Sequence, residues 1–128
     1  MTRLSVTVDA HPHFSVVTLL GDLDKSSAPR LEEKLAELME HGHTCLIIDT
    51  AKLGFCDSTG IWVLLTSLRR AYERKGWLRL AGVHGFLGRL LDLTRLREAF
   101  PIDLTVEESI RQVSDGRTAS SGSISASR

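Results

Sequence analysis

Cys45, Leu46, Ile47 and Ile48 form an unbroken apolar run that stops at Asp49. No polar residue alternates through it, so a strand here has both faces buried. Such a strand belongs inside a sheet covered by helices, with parallel neighbours joined through helical crossovers.

The flanking sequence supplies those parts. Leu4, Ser5, Val6, Thr7 and Val8 alternate as a half-buried strand does. His11, Pro12 and His13 mark a turn, and residues 14–20, rich in Val, Thr and Leu, make a second strand that pairs with the first as a hairpin. Residues 21–27 form a polar loop ahead of a helix. Ser27 is the expected N-cap, Pro29 lies in the first turn, and Ala28, Leu31, Leu35 and Leu38 recur at helical spacing. Gly42 is the expected stop.

A second helix is predicted over 58–75, burying Ile61, Leu64, Leu65, Leu68 and Tyr72 and ended by Gly76. A strand at 77–81, a short helix at 86–93, a strand at 102–104 and a helix at 106–113 follow. The short helix carries Phe86, Leu87, Leu90 and Leu91, and the last one sets Val106, Ile110 and Val113 on one side. Strands and helices alternate from residue 14 onward. That order predicts an α/β fold with a mixed, mostly parallel sheet of four or five strands, about four helices and a hairpin strand at one edge. The predicted domain spans 1–113. Residues 114–128 are Ser-rich with almost no large apolar side chain, and are expected to be a disordered tail.

Composition narrows the function. The 128 residues suit one domain, and 42% apolar content supplies one core. Lys plus Arg and Asp plus Glu number 16 each, so no global field draws in nucleic acid or an anionic membrane. No apolar run approaches the roughly 18 residues of a membrane helix. The N-terminal stretch lacks the apolar core and cleavage site of a signal peptide. Cys45 and Cys56 make no disulfide framework, and the expected compartment is a reducing cytoplasm.

Most chemistry-bearing residues have bland explanations. His11 with His13 and His41 with His43 sit at turns, without the partners that complete a metal site. Cys56 precedes a helix but lacks a nearby base other than His84, and a free Cys is usually a small buried hydrophobe. Arg69, Arg70, Arg74, Lys75 and Arg79 cluster, yet cations favour the C-terminal end of a helix dipole. Gly82, Gly85 and Gly88 match no nucleotide-binding spacing. No metal and no cofactor is expected.

Asp57, Ser58, Thr59 and Gly60 remain, at the junction between strand and second helix. They make a plain helix cap, or they present a hydroxyl for modification. A helix N-terminus carries unpaired N–H groups and about half a positive charge, so a phosphate on Ser58 or Thr59 is tolerated there. Gly60 leaves the approach to that hydroxyl open. Spacing alone favours the cap. Trp62 is rotated away from the core stripe, in line with Thr66 and Arg69, while Val63 lines up with Ser67 and Arg70. Trp62 is either an exposed interface anchor or is covered by the helix at 86–93.

Gly21, Asp22, Leu23, Asp24, then Ala28 and Pro29, then Phe55 to Gly60, Leu78 to Leu80 and Leu90 to Thr94, resemble the stand-alone STAS domains, and more narrowly the bacterial anti-sigma factor antagonists. The resemblance covers about residues 4 to 113. It implies that the unmodified protein binds an anti-sigma factor and frees a sigma factor. It further implies that this partner is a serine kinase with a histidine-kinase-like ATPase fold, that Ser58 is the phosphoacceptor with Thr59 as a minor one, and that a PP2C-type phosphatase reverses the mark. The implied partner-binding residues are Asp22, Asp24, Ser27, Asp57, Ser58, Thr59, Gly60 and Trp62. The chain departs from the family pattern at Cys56 and at Val83, His84 and Gly85. The alternative is a STAS adaptor subunit of a transport ATPase or stress-signalling complex, without a phosphorylation cycle.

Overall fold

A hairpin opens the chain, and every later strand is reached through a helix. The computed structural model describes residues 3–114. Strand β1 (Ser5–Ala10) turns into β2 (Ser15–Leu23); then follow helix α1 (Ala28–Glu40), β3 (Cys45–Cys56), α2 (Ser58–Glu73), β4 (Trp77–Ala81), α3 (Gly85–Leu93), a short 3-10 turn (Arg97–Ala99), β5 (Ile102–Asp103) and α4 (Val106–Ser114). The five strands lie in the order β1-β2-β3-β4-β5. Only β1 and β2 are antiparallel.

That monotonic order has a geometric consequence. Successive right-handed crossovers that always step the same way leave their helices on one face. Accordingly α1, α2 and α3 share one core with Val17, Leu19, Leu46, Ile48, Leu78 and Leu80 of the sheet. The other face is covered by α4, whose Val106 and Ile110 pack on Val16, Ile47 and Ala81. The run at 45–48 is apolar throughout because Leu46 and Ile48 face the three helices and Ile47 faces α4.

Several boundaries differ from the sequence-based expectation. β2 does not end at residue 20, and 21–23 are strand rather than loop. β3 runs on to Cys56, with Leu20 opposite Lys52, Asp22 opposite Phe55 and Leu23 opposite Cys56. The pairing shifts register between Gly21 and Asp22, and Gly21 takes φ +106°, which a side chain would resist. A bulge with a glycine hides the strand from any pattern of alternation.

Ser27 occupies the N-cap position of α1, yet its side chain caps nothing. Its hydroxyl instead donates to the Asp22 carbonyl at 3.0 Å. The buried stripe of α1 ends on Met39, with Leu38 only half-buried. On α2, Tyr72 is 53% exposed rather than core, and Val63, Ser67 and Ala71 are buried instead. Leu104 lies outside β5 and is exposed, and the fully buried residue of α4 is Ser109. Ser114 closes α4; the rest of the expected tail lies outside the described residues.

Candidate functional site

Long pairing of β2 with β3 brings two loops together at one rim of the sheet. The Asp57 amide donates to the Leu23 carbonyl at 3.1 Å, which ties the start of α2 to the end of β2. Asp57 itself is extended, at φ −108° and ψ −175°, so its carboxylate can turn back onto the helix. Asp57 Oδ1 accepts from the amides of Thr59 at 2.9 Å and Gly60 at 3.2 Å. Asp57 is therefore the cap, and Ser58 is the first residue of the helix rather than its cap. The Ser58 hydroxyl is exposed and has no hydrogen-bond partner among the described residues. Thr59, one step round the helix, is half-buried.

Gly60 serves the inside of the site. It is buried, and a Cβ there would stand 2.7 Å from Leu23 Cγ and 2.9 Å from Cys56 Sγ. The residue lets α2 sit tightly on β2, and its role is packing, not the open approach expected from sequence. Cys56 is also buried, and burial together with the Asp57 charge pushes its thiol up to about 12. A thiol held protonated at neutral pH is a poor nucleophile.

Across the junction lies the β2–α1 turn. Asp24 Oδ1 accepts from the Ser26 hydroxyl at 2.8 Å and from the amides of Ser26 and Ser27 at 3.0 and 3.1 Å. The Ser26 hydroxyl and these amides hold the Asp24 carboxyl below its ordinary range. The Asp24 amide donates to Ser27 Oγ at 3.0 Å. Asp22, Asp24, Ser26 and Ser27 line a hollow of about 340 Å³ with Arg3, Leu4 and Arg30. Ser27 thus fastens the turn that shapes one side of the site.

Trp62, one turn along α2 from Ser58, is 58% exposed; α3 does not cover it. Its neighbour Val63, in line with Ser67, is buried. Sequence reasoning missed a second aromatic group. Phe55, at the end of β3, meets Phe86 of α3 edge-on with ring centroids 4.9 Å apart, and the Arg89 guanidinium lies 5.6 Å from the Phe86 centroid. Five of the nine residues of α3 are Phe or Leu, and that excess is the sequence signal for it.

Other candidates disperse. Among the described residues no group of three His, Cys, Asp or Glu side chains could hold a metal ion. His11 bonds Asp9 and stacks on Phe14, and His41 bonds the Glu37 carbonyl. Arg79 leaves the basic cluster, buried on β4 against Asp103. Arg70 pairs with Glu32 at 3.7 Å.

A mixed five-stranded sheet, three helices on one face, and a capped junction displaying a serine beside the turn that holds Asp24 define an α/β domain of the STAS type. The chain belongs to the STAS domain family, matching the family described as "Mlab, STAS domain" over residues 6–106. It is 31% identical to the anti-sigma-B factor antagonist of Bacillus subtilis strain 168 over 109 residues, which cover 85% of this chain and 99% of the relative. A crystal structure of an anti-sigma factor antagonist from Mycobacterium paratuberculosis superposes with a TM-score of 0.80 at 25% identity, over 88% of this chain and 96% of that one. The phosphorylated form of the Bacillus cell fate determinant SpoIIAA shares the fold, with a TM-score of 0.70 at 22% identity over 85% of this chain and 99% of that one. No helix among the described residues is long and apolar enough to cross a membrane.

Proposed function

We propose that this protein is a cytoplasmic anti-sigma factor antagonist switched by phosphorylation of Ser58. Unmodified, it binds an anti-sigma factor that is also a serine kinase, and so releases a sigma factor. The kinase then transfers the γ-phosphoryl group of ATP to Ser58 Oγ; the hydroxyl proton goes to a base of the kinase and ADP leaves. Hydrolysis by a PP2C-type phosphatase restores the hydroxyl. The chain is not an enzyme in this scheme, because it only presents a group to the active sites of others.

One observation carries the reading. Capping is done by Asp57, which leaves the Ser58 hydroxyl exposed and without a partner. A phosphate on the first helical residue meets the positive end of the dipole, worth about 0.3–1 kcal/mol, so modification need not disturb the fold. SpoIIAA, solved in a phosphorylated form, is a case of this fold carrying a phosphate. Asp57, Asp24 and Asp22 already stand at this rim, with Arg3 and Arg30 in the adjoining hollow, and a phosphate adds about −1.5 to −2 charges beside them. A partner docked on the neutral form then faces desolvation and repulsion. Thr59, half-buried, is the lesser acceptor.

The test is affinity for the anti-sigma factor, measured by calorimetry. Ser58→Ala should bind like the unmodified protein whether or not ATP is present. Ser58→Asp should bind at least tenfold more weakly, about 1.4 kcal/mol. Equal binding by both variants, unaffected by ATP, would sink the switch and leave a constitutive adaptor.

A further inference from the structure

The partner surface around Ser58 has a second half that the family resemblance did not mark. α3 buries Leu87, Gly88 and Leu91, and yet shows Phe86 at 47% and Leu93 at 74% exposure. These two lie seven positions apart, with half-buried Leu90 between them, so they form one ridge along the helix. A helix apolar on nearly every side is normally buried. The ridge is continuous with the junction: Phe86 packs on Phe55, and Phe55 is three residues before Ser58, a reach of at most about 11 Å along extended chain. Trp62 stands one helical turn along α2 from Ser58. Any active site that closes on that hydroxyl has Trp62 and the Phe55–Phe86 pair to cover.

Charge indicates the chemistry of the occupant. Arg89 has no acidic partner among the described residues; its one recorded contact is with the Phe86 ring. The cation beside an exposed aromatic calls for a carboxylate set at the rim of an apolar groove. Aromatic and Arg side chains are also the types that dominate interface energies. A second copy of the chain is a poorer occupant, because seating it on a ridge this close to Ser58 crowds the kinase out.

We infer that Phe86, Arg89 and Leu93 of α3 are a docking ridge for the same anti-sigma factor that reads Ser58, gripping an apolar groove with an acidic rim on that protein. The inference rests on the function proposed above. In this arrangement the ridge supplies affinity and Ser58 supplies control.

The experiment titrates the purified anti-sigma factor kinase, with ADP bound, against the full unmodified chain and four variants by calorimetry. Phe86→Ala and Arg89→Glu should each weaken binding tenfold or more, and Leu93→Ser severalfold. Leu104→Ser, at the most exposed large apolar side chain among the described residues (88%), should leave it unchanged. Circular dichroism melts confirm that each variant is folded. If the unmodified chain binds and all four variants bind equally, the ridge is wrong and the switch stands. If the unmodified chain does not bind, the proposed function fails and takes the ridge with it. A dimer in sedimentation that Phe86→Ala converts to monomer also overturns the proposal, in favour of a second copy on α3.

Discussion

At the scale of the residue, the site depends on three neighbours doing three different jobs. Asp57 caps, Ser58 is left free, and Gly60 admits the helix to the sheet. The third job gives a sharp prediction. Alanine is the better helix former by about 0.5–1 kcal/mol, so propensity alone says that Gly60→Ala stabilises. The added methyl, however, lands under 3.0 Å from Leu23 and Cys56, both fully packed, and overpacking costs about 1–3 kcal/mol. Packing wins, and Gly60→Ala should lower the urea midpoint. Adding Leu23→Ala to Gly60→Ala should cost less than Leu23→Ala costs in the unaltered chain, since the methyl then fills space. A midpoint raised by Gly60→Ala would mean that α2 can move off β2 freely.

At the scale of the element, α4 holds the second face of the sheet through one polar anchor. Asp103 Oδ2 accepts from Arg79 Nε at 2.7 Å and from the Ser109 hydroxyl at 2.6 Å, and Oδ1 accepts from Arg79 Nη2 at 3.0 Å. Burial pushes the Asp103 carboxyl up, but the bonds from Arg79 and Ser109 outweigh it and hold the group below its ordinary range. A depressed folded-state pKa contributes stability that is present above the unfolded value, near 3.9, and is lost as pH falls through the folded one. Asp103→Asn removes the carboxylate charge to which Arg79 Nε and Nη2 donate, a loss of about 3–5 kcal/mol at neutral pH. Urea midpoints at pH 7 and pH 3 should therefore fall for the native chain and change less for the variant. Parallel slopes would exclude this pair as an acid-sensitive element. Sequence showed these elements unevenly. The first residues of β3 were legible because helices cover both their faces. Beyond Asp49 the strand has no β4 beside it, Ala51, Lys52 and Gly54 are exposed, and no apolar pattern survives to be read. Likewise Tyr72 fits a helical stripe on paper, but α2 faces α1 as well as the sheet, and the small residues Ser67 and Ala71 are buried while Tyr72 is not. The junction was legible as a motif from Asp57 to Gly60. Which residue caps it was not, because that depends on the bond between Asp57 and Leu23, far apart in sequence.

At the scale of the whole molecule, the chain is formally neutral, with 16 cationic and 16 acidic side chains. A single phosphate is then a large fractional change in charge, about −1.5 to −2 on a base of zero. Phosphorylated protein should run clearly toward the anode on a native gel at pH 7, while its melting temperature stays within a few degrees, since the site is already an N-terminal helical position. A large drop in melting temperature would point to refolding rather than electrostatics as the basis of switching. The hollow beside the acidic turn also decides how the molecule can be handled. Arg3 and Leu4 line it together with Asp22, Asp24 and Ser27, whereas α4 and Ser114 belong to the layer on the far face of the sheet. A purification tag or fluorescent protein fused ahead of Arg3 would hang over the rim where the proposed partner docks. A fusion on the C-terminal side follows α4, whose last described residue, Ser114, lies on the opposite layer, and is the arrangement to choose for any binding assay.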